Sequence, residues 1–321
     1  MKTIIGTDIQ DAIRLLRSGE LVAIPTETVY GLAANACNIS AVNKIYAAKS
    51  RPNSNPLILH FATIDKIHPY VLDFPEELLN LANKFWPGPL TILLKKSALV
   101  PNEITAKQEF VAVRVPKHPL LNAILSELDF PLAAPSANLY GMVSPTKALH
   151  VMQELNGKIP YILDGGTCEN GLESTIIGLH ETKIVLYRLG SISMEELTLQ
   201  LSYIPELINT SQKQTITSGM VEHHYAPKTP FFYFNETSID DSENNNGYIF
   251  FRDKYPTIAK SNKIILSESG KLEEAAANLY DSIIEMDKRK FDVLFIERFP
   301  DKGLGKTMND RLDRATLKFR A

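Results

Sequence analysis

Cysteine occurs only twice in the 321 residues, at Cys37 and Cys168. That count excludes a disulfide framework and a cysteine-built zinc site, and it suits a reducing compartment. Long apolar runs are also missing. Stretches such as LTILL (90–94) and YIFF (248–251) fall far short of the roughly 20 residues that a membrane-spanning helix needs. The N-terminal MKTIIGTDIQDAIRLL carries charges throughout and has no apolar core of a signal peptide. A cytoplasmic protein without membrane contact is expected. Neither sign of charge dominates, since 34 Lys and Arg stand against 37 Asp and Glu. Binding of nucleic acid by bulk charge is therefore disfavoured, although a local basic groove remains open. No G-x-S-x-G elbow and no H-E-x-x-H pair occur. The adjacent His223 and His224 would point apart on any regular element, so a metal held by protein alone is not expected. GLGKT (303–307) resembles the end of a phosphate-binding loop, but the first glycine of that motif would fall on Pro300. A plain glycine turn is the better reading.

What remains is ordinary globular composition, 44% hydrophobic and 22% charged, at a length that suggests two domains. Asp8 can cap a helix with Ile9, Ala12, Ile13 and Leu16 on one face and Gly19 at its stop. Leu21–Ile24 reads as a strand that Pro25 ends. Ser40 is positioned to cap a helix carrying Val42, Ile45 and Tyr46. Further strands are expected at 57–61, 90–94, 110–115, 174–179 and 183–189. Helical patterns lie at 75–85 and 145–155, with Pro145 in a first turn. Alternating and adjacent strands of this kind predict an α/β domain with a mixed sheet over 1–205. Residues 206–230 read as a linker, with the polar tract 209–218 followed by GMVEHHYAPKTP. Residues 231–321 predict a smaller α/β domain. Its helix places Leu272, Ala275, Ala276, Leu279, Ile283 and Met286 on one face.

Chemistry concentrates where strands end. LVAI breaks into PTET, exposing small polar side chains at the end of the first good strand. AKSRPNSNPLILH (48–60) sets Lys49 and Arg51 between a helix and a strand, in a loop stiffened by Pro52 and Pro56. Two fixed cations of that kind suit a polyphosphate. In FVAVRV, a period of two puts Arg114 opposite Val111, Val113 and Val115, on the side of Phe110 and Ala112. Either that side faces solvent, or Arg114 is buried and needs an anion. APSANLYGMVSPT, STIIGL and Arg188 add further hydroxyls and a cation at strand ends. Turn chemistry alone could place them there; a cleft for a small zwitterion and a nucleotide is the alternative.

The chain resembles the threonylcarbamoyl-AMP synthases in their long form, a YrdC-type domain followed by a small C-terminal domain. The stretches that carry the resemblance are PTETVYGL, AKSRP with NPLILH, FWPGPLT, VAVRVPKHP, AAPSAN with SPTKA, DGG with GLESTI, YRLG, GMVEHHYAPKTP and RFPDKGLGKTMNDRLDRA. They span nearly the whole chain in order. The implied fold is a mixed twisted sheet with flanking helices plus a Rossmann-like C-terminal domain. The implied reaction turns L-threonine, bicarbonate and ATP into threonylcarbamoyl-adenylate and pyrophosphate. The product feeds the threonylcarbamoyl modification of the tRNA adenosine next to the anticodon, through separate transferase machinery; a weak tRNA contact would be compatible. By resemblance, Thr28, His60, Arg114, Ala134 and Ser174 line the threonine pocket, with Arg114 on the carboxylate. Lys49 and Arg51 act as the catalytic cations and bind ATP with Asn55, Phe110, Ser136, Asn138, Ser144 and Arg188. Mg2+ is expected with ATP, held mainly by phosphates. His224, Tyr225 and Ala226 belong to a linker that folds over the nucleotide. The chain departs from the family pattern at Ser50, where glycine is frequent, at Leu189, where proline is usual, and at Phe110, where threonine is common.

Two other readings compete. An RNA-binding module without catalysis would use a concave basic face, but basic and aromatic residues do not interleave here. The hydrogenase-maturation carbamoyltransferases carry a similar domain together with cysteine-rich zinc motifs, which two cysteines cannot supply. Under the synthase reading, a chain cut after residue 205 is expected to fold and to lose most activity. Full activity of that fragment in a pyrophosphate-release assay would rule out the lid.

Overall fold

A computed structural model describes residues 2–208, 224–235 and 245–320. Ten strands form the larger sheet: β1 (Ile4–Gly6), β2 (Val22–Ile24), β3 (Gly31–Asn35), β4 (Ile58–His60), β5 (Leu90–Lys95), β6 (Phe110–Arg114), β7 (Leu132–Ala133), β8 (Tyr161–Leu163), β9 (Thr175–His180) and β10 (Lys183–Arg188). Their spatial order is β1-β8-β2-β3-β7-β4-β6-β5-β9-β10, with parallel and antiparallel pairs mixed. The expected mixed sheet is therefore present. Seven helices accompany it: α1 (Ile9–Arg17), α2 (Ile39–Lys49), α3 (Glu76–Phe85), α4 (Asn102–Thr105), α5 (Pro119–Glu127), α6 (Ala148–Leu155) and α7 (Met194–Leu201). No helix among the described residues is long and apolar enough to cross a membrane.

Helix α1 starts as its sequence dictates. The Asp8 carboxylate accepts from the Gln10 amide at 2.8 Å, and Ala12, Ile13 and Leu16 are buried. Two other starts differ from expectation. Asn38, not Ser40, caps α2: its side chain accepts from the Ala41 amide while its own backbone stays extended. Pro145 lies outside α6, which begins at Ala148; the Pro145 carbonyl instead accepts from the Tyr30 amide at 2.8 Å. A long-range backbone bond has overridden the local preference for proline in a first turn. At the end of α2, Ser50 adopts the left-handed conformation (φ 53°) that glycine would take more readily.

The two faces of the sheet are covered unequally. Leu57, Leu59, Phe61, Val111, Val113 and Val115 point into the main core, where Val42, Ile45, Leu78, Leu81 and Val151 of α2, α3 and α6 meet them. On the opposite face, α1 and α5 pack over β2, β3, β7 and β8. Over β4, β5, β6 and β9 that face carries only a small patch of Ile58, Leu93, Ala112 and Ile176, joined by Phe110 and Tyr187. A cleft opens there.

The smaller sheet holds β11 (Phe231–Tyr233), β12 (Asn246–Phe250), β13 (Lys263–Ile265) and β14 (Val293–Ile296), all parallel, in the order β11-β14-β12-β13. Helices α8 (Leu272–Lys288) and α9 (Leu304–Leu317) pack on it. Ala275, Ala276, Leu279, Ile283 and Met286 of α8 are buried, as the helical period predicts. β12 begins at Asn246, and the 209–218 tract and His223 lie outside the described residues. GLGKT is the glycine turn into α9, with Gly303 at φ 51° and Lys306 in a surface ion pair with Glu195.

The second core does not stop at the smaller sheet. Val29, Val143 and Leu172 from the first sheet's loops join Tyr225 and Ala226 against α8 and α9. Gly171 makes this approach possible. Its φ is +71°, and a Cβ there would stand 2.5 Å from the Ala276 carbonyl oxygen of α8. Gly171→Ala is expected to cost about 1–3 kcal/mol through overpacking against backbone that cannot yield. A fall in the thermal midpoint checks this; an unchanged midpoint would show that the contact is loose.

Candidate functional site

The cleft on the thinly covered face is built on a pairing of parallel strands. His60 of β4 lies in register with Arg114 of β6, as Ile58 does with Ala112, so these four share one face. Arg114 is buried, which removes the solvent-face reading. Its Nη1 donates to the Thr28 hydroxyl at 3.0 Å, its Nε to the Gly88 carbonyl at 3.3 Å, and its Nη2 stands 2.8 Å from the Glu27 carboxylate.

PTET forms the next wall. The Thr26 hydroxyl accepts from the amides of Thr28 and Val29 and donates to the Val29 carbonyl, closing a tight turn between β2 and β3. Thr26 and Thr28 hydroxyls meet at 2.8 Å. The polar residues at this strand end thus turn inward, and Thr26, Glu27 and Thr28 are all buried.

Across the cleft lie Ala134, Pro135 and Ser136, then Glu173, Ser174 and Arg188, and finally His224 and Tyr225, and the space between them opens to solvent. Arg188 donates to the Ser174 carbonyl at 2.8 Å and hydroxyl at 3.1 Å, and Ser174 meets Thr91 at 2.7 Å. Lys49 and Arg51 stand behind this wall. Buried Lys49 donates to the carbonyls of Ser136, at 2.5 Å, and Asn138. Arg51 donates to the Pro56 carbonyl at 3.1 Å, and Asn55 donates to the Tyr140 hydroxyl at 2.9 Å. Asn138 turns its amide to the Leu139 and Met142 carbonyls, and Ser144 donates to Glu173 at 2.6 Å. Ala226 closes the rim by pairing with Met142.

The structure therefore gathers Thr28, His60, Arg114, Ala134, Ser136, Ser174, Arg188, His224 and Tyr225 on one cleft, and sets Lys49, Arg51, Asn55, Asn138, Ser144 and Ala226 around it. Phe110 shares the face over which the cleft opens, but it is not among the residues that line the cleft's inner part. It begins the strand that Arg114 ends, and it packs with the apolar patch beside Ile58 and Leu93. Two carboxylates were not anticipated in the site, Glu27 and Glu173. The signal for both was an acidic residue inside a stretch of small hydroxyl residues, PTET and GLEST.

Burial sets the electrostatics. Lys49 is held well below its ordinary range by burial and then by Arg51. Burial, then Arg114, lowers His60 to about 3, and burial lowers His224 to about 3 against the opposing pull of Glu173. Both rings are neutral above that. Burial alone would raise Glu173, but Arg311, Arg188 and the hydrogen bond from Ser144 take it down to about 2. Linkage follows from these directions. Unfolded histidines take up protons below about 6.5 that the folded chain refuses, so stability is present above that pH and is lost as pH falls toward 3. Glu173 adds its own loss only from about 4.5 downward. His60→Asn is accordingly expected to flatten the fall in melting temperature between pH 6.5 and 4.5. A variant with the wild-type slope would contradict the burial cost.

Comparison with known proteins gives this cleft relatives. Residues 14–190 match a family described as "Telomere recombination" (Sua5, YciO, YrdC), and residues 192–316 match "Threonylcarbamoyl-AMP synthase, C-terminal domain". A curated threonylcarbamoyl-AMP synthase of Bacillus subtilis is 39% identical over 96% of this chain and 92% of its own length. One from Schizosaccharomyces pombe is 33% identical over 96% of this chain and 88% of its own. The crystal structure of Pyrococcus abyssi Sua5 complexed with L-threonine superposes with a TM-score of 0.91 at 35% identity, covering all of this chain and 98% of that one. Carrying both matched regions in order along one chain, the protein belongs to the threonylcarbamoyl-AMP synthase family.

Proposed function

We propose that the chain makes threonylcarbamoyl-adenylate and pyrophosphate from L-threonine, bicarbonate and ATP. The observation that carries this reading is the in-register pair of His60 and buried Arg114, facing Thr28 on one side and Ser174 with Arg188 on the other. A guanidinium, hydroxyls and a neutral imidazole suit an amino acid's carboxylate, hydroxyl and uncharged nitrogen. The cations Lys49, Arg51 and Arg188 suit a triphosphate. Lys49 is buried against two neutral carbonyls, so an arriving anion would reverse the cost of its burial.

The threonine nitrogen would first condense with bicarbonate, releasing water and leaving a carbamate. A carbamate oxygen would then attack the α-phosphorus, forming the new P–O bond as the bond to the bridging oxygen of pyrophosphate breaks. Such a step depends on alignment and on neutralising phosphate charge. Lys49, Arg51 and Arg188 would supply that charge, with Asn55, Ser136, Asn138 and Ser144 orienting the nucleotide. ATP would enter as its magnesium complex, the ion held by phosphate oxygens. The carboxylates beside the cleft are engaged, Glu27 with Arg114 and Glu173 with Ser144, Tyr280 and Arg311. Residues 1–205 would form the catalytic domain and 206–230 the lid, in which His224, Tyr225 and Ala226 keep water from a labile carbamate and adenylate. Residues 231–321 would back the lid. A separate transferase would pass the product to tRNA. A noncatalytic RNA-binding role fits less well, because these cations are recessed in a cleft rather than spread along a groove.

Pyrophosphate release from ATP and bicarbonate, with each proteinogenic amino acid added in turn, tests the assignment. Release that requires both bicarbonate and L-threonine is expected. Release with another amino acid would rewrite the pocket, and release with none would end the synthase reading. Arg114→Met should also abolish turnover and, by leaving Glu27 buried without its counter-charge, cost about 3–5 kcal/mol of stability. Adding Glu27→Met should restore most of the stability and none of the activity, as measured by chemical denaturation alongside the same assay.

A further inference from the structure

Arg311 is fully buried in the middle of α9, yet it belongs to the smaller domain, far along the chain from the cleft. Its Nε donates to the Glu173 carboxylate at 3.0 Å, its Nη2 to the Leu189 carbonyl, and its Nη1 pairs with Asp310. The guanidinium carbon also stands 4.9 Å from the centre of the Tyr225 ring, which stacks on Tyr280 at 5.9 Å with the planes 10° apart. Tyr280 of α8 donates its hydroxyl to the same Glu173 oxygen at 3.1 Å. Thr307, one turn earlier in α9, donates to the Gly190 carbonyl at 3.0 Å. Two helices of the smaller domain thus converge on one carboxylate and one ring, and both of those line the cleft.

Glu173 is a problem for an anion site. It immediately precedes Ser174, on which Arg188 rests, so its charge sits in the wall assigned to phosphate. We propose that Arg311 is a positioning residue for the nucleotide side of the active site: from the C-terminal domain it neutralises Glu173 and fixes the Tyr225 ring over the cleft. This rests on the nucleotide-binding reading given above. It also assigns work to the motif GLGKTMNDRLDRA, whose lysine instead forms a surface ion pair with Glu195. The same contact explains Tyr225's own backbone, held at φ 67° where few non-glycine residues stay without support from both sides.

The test uses the full chain and four variants: Arg311→Met, Arg311→Lys, Tyr280→Phe, and Arg311→Met combined with Glu173→Gln. Pyrophosphate release gives KM for ATP and for L-threonine separately, and calorimetry gives ATP affinity without turnover. Arg311→Met is expected to raise KM and Kd for ATP about tenfold or more, with KM for L-threonine nearly unchanged. Removing the Glu173 charge in the double variant should recover most of that loss, which no general loss of packing would do. Arg311→Lys should fall between, keeping the charge and losing the fork. An unchanged ATP affinity, equal losses for both substrates, or a double variant as poor as the single one would overturn the proposal. If circular dichroism shows Arg311→Met unfolded, Tyr280→Phe decides: weaker ATP binding supports the clamp and wild-type binding refutes it. Wild-type protein that binds ATP but releases no pyrophosphate with L-threonine would instead count against the assigned reaction, and the calorimetry would still judge the clamp.

Discussion

Positive charge cannot be set beneath a protein surface without something to answer it, and the rest of this structure depends on how that is done. Around the cleft, Lys49, Arg51, Arg114, Arg188 and Arg311 are buried, against the buried carboxylates Glu27 and Glu173. Glu27 pairs with Arg114, and Glu173 pairs with Arg311 while also answering Arg188. Neutral carbonyls and hydroxyls share the task, as the Ser136 and Asn138 carbonyls do for Lys49, solvating a cation without cancelling it.

The sheet makes that arrangement affordable. β4 and β6 run parallel and in register, so one face carries Leu57, Leu59, Val111 and Val113 into the main core while the other carries His60 and Arg114. Helices α1 and α5 cover that second face only as far as β7. A face left uncovered would ordinarily be an exposed apolar patch. Here it is shortened to a few apolar side chains and edged with the PTET turn, the Ser174 wall and Tyr225.

The smaller domain completes the enclosure rather than hanging beside it. Its core continues into Val29, Val143 and Leu172, and its polar contacts reach further. Asp281 of α8 pairs with Lys147 at 2.8 Å and with His150 at 3.1 Å, which holds Asp281 at about 2. Asp287 accepts from the amides of Lys228 and Thr229, fixing the chain just beyond Tyr225 and Ala226. Residues 224–229 are therefore gripped from both sides.

Much of this was legible along the chain. The Asp8 cap, the buried face of the helix at 272–286 and the alternation around Arg114 follow from local periods of 3.6 and 2, which a sequence displays directly. PTET and AKSRP declared themselves because hydroxyls and paired cations interrupt apolar strands there. Local rules failed where distant atoms competed. Ser40 and Asn38 are both good caps, and it is Asn38 that accepts from the Ala41 amide. Pro145 suits a first turn, but its carbonyl was taken by Tyr30. Phe110 shares a face with Arg114 at the opposite end of the same strand, in the apolar patch beside the cleft. The sequence by itself marked several of the strands and helices that carry the cleft, though not β3, β8, α5 or α7, and it showed which residue types could bind a zwitterion and a polyphosphate. Only the tertiary structure decided that Arg114 is buried beside His60, and that Glu173 meets Arg311 across 138 positions of chain. Strand order and domain contact create those neighbours, and neither leaves a periodic trace in the residues that take part.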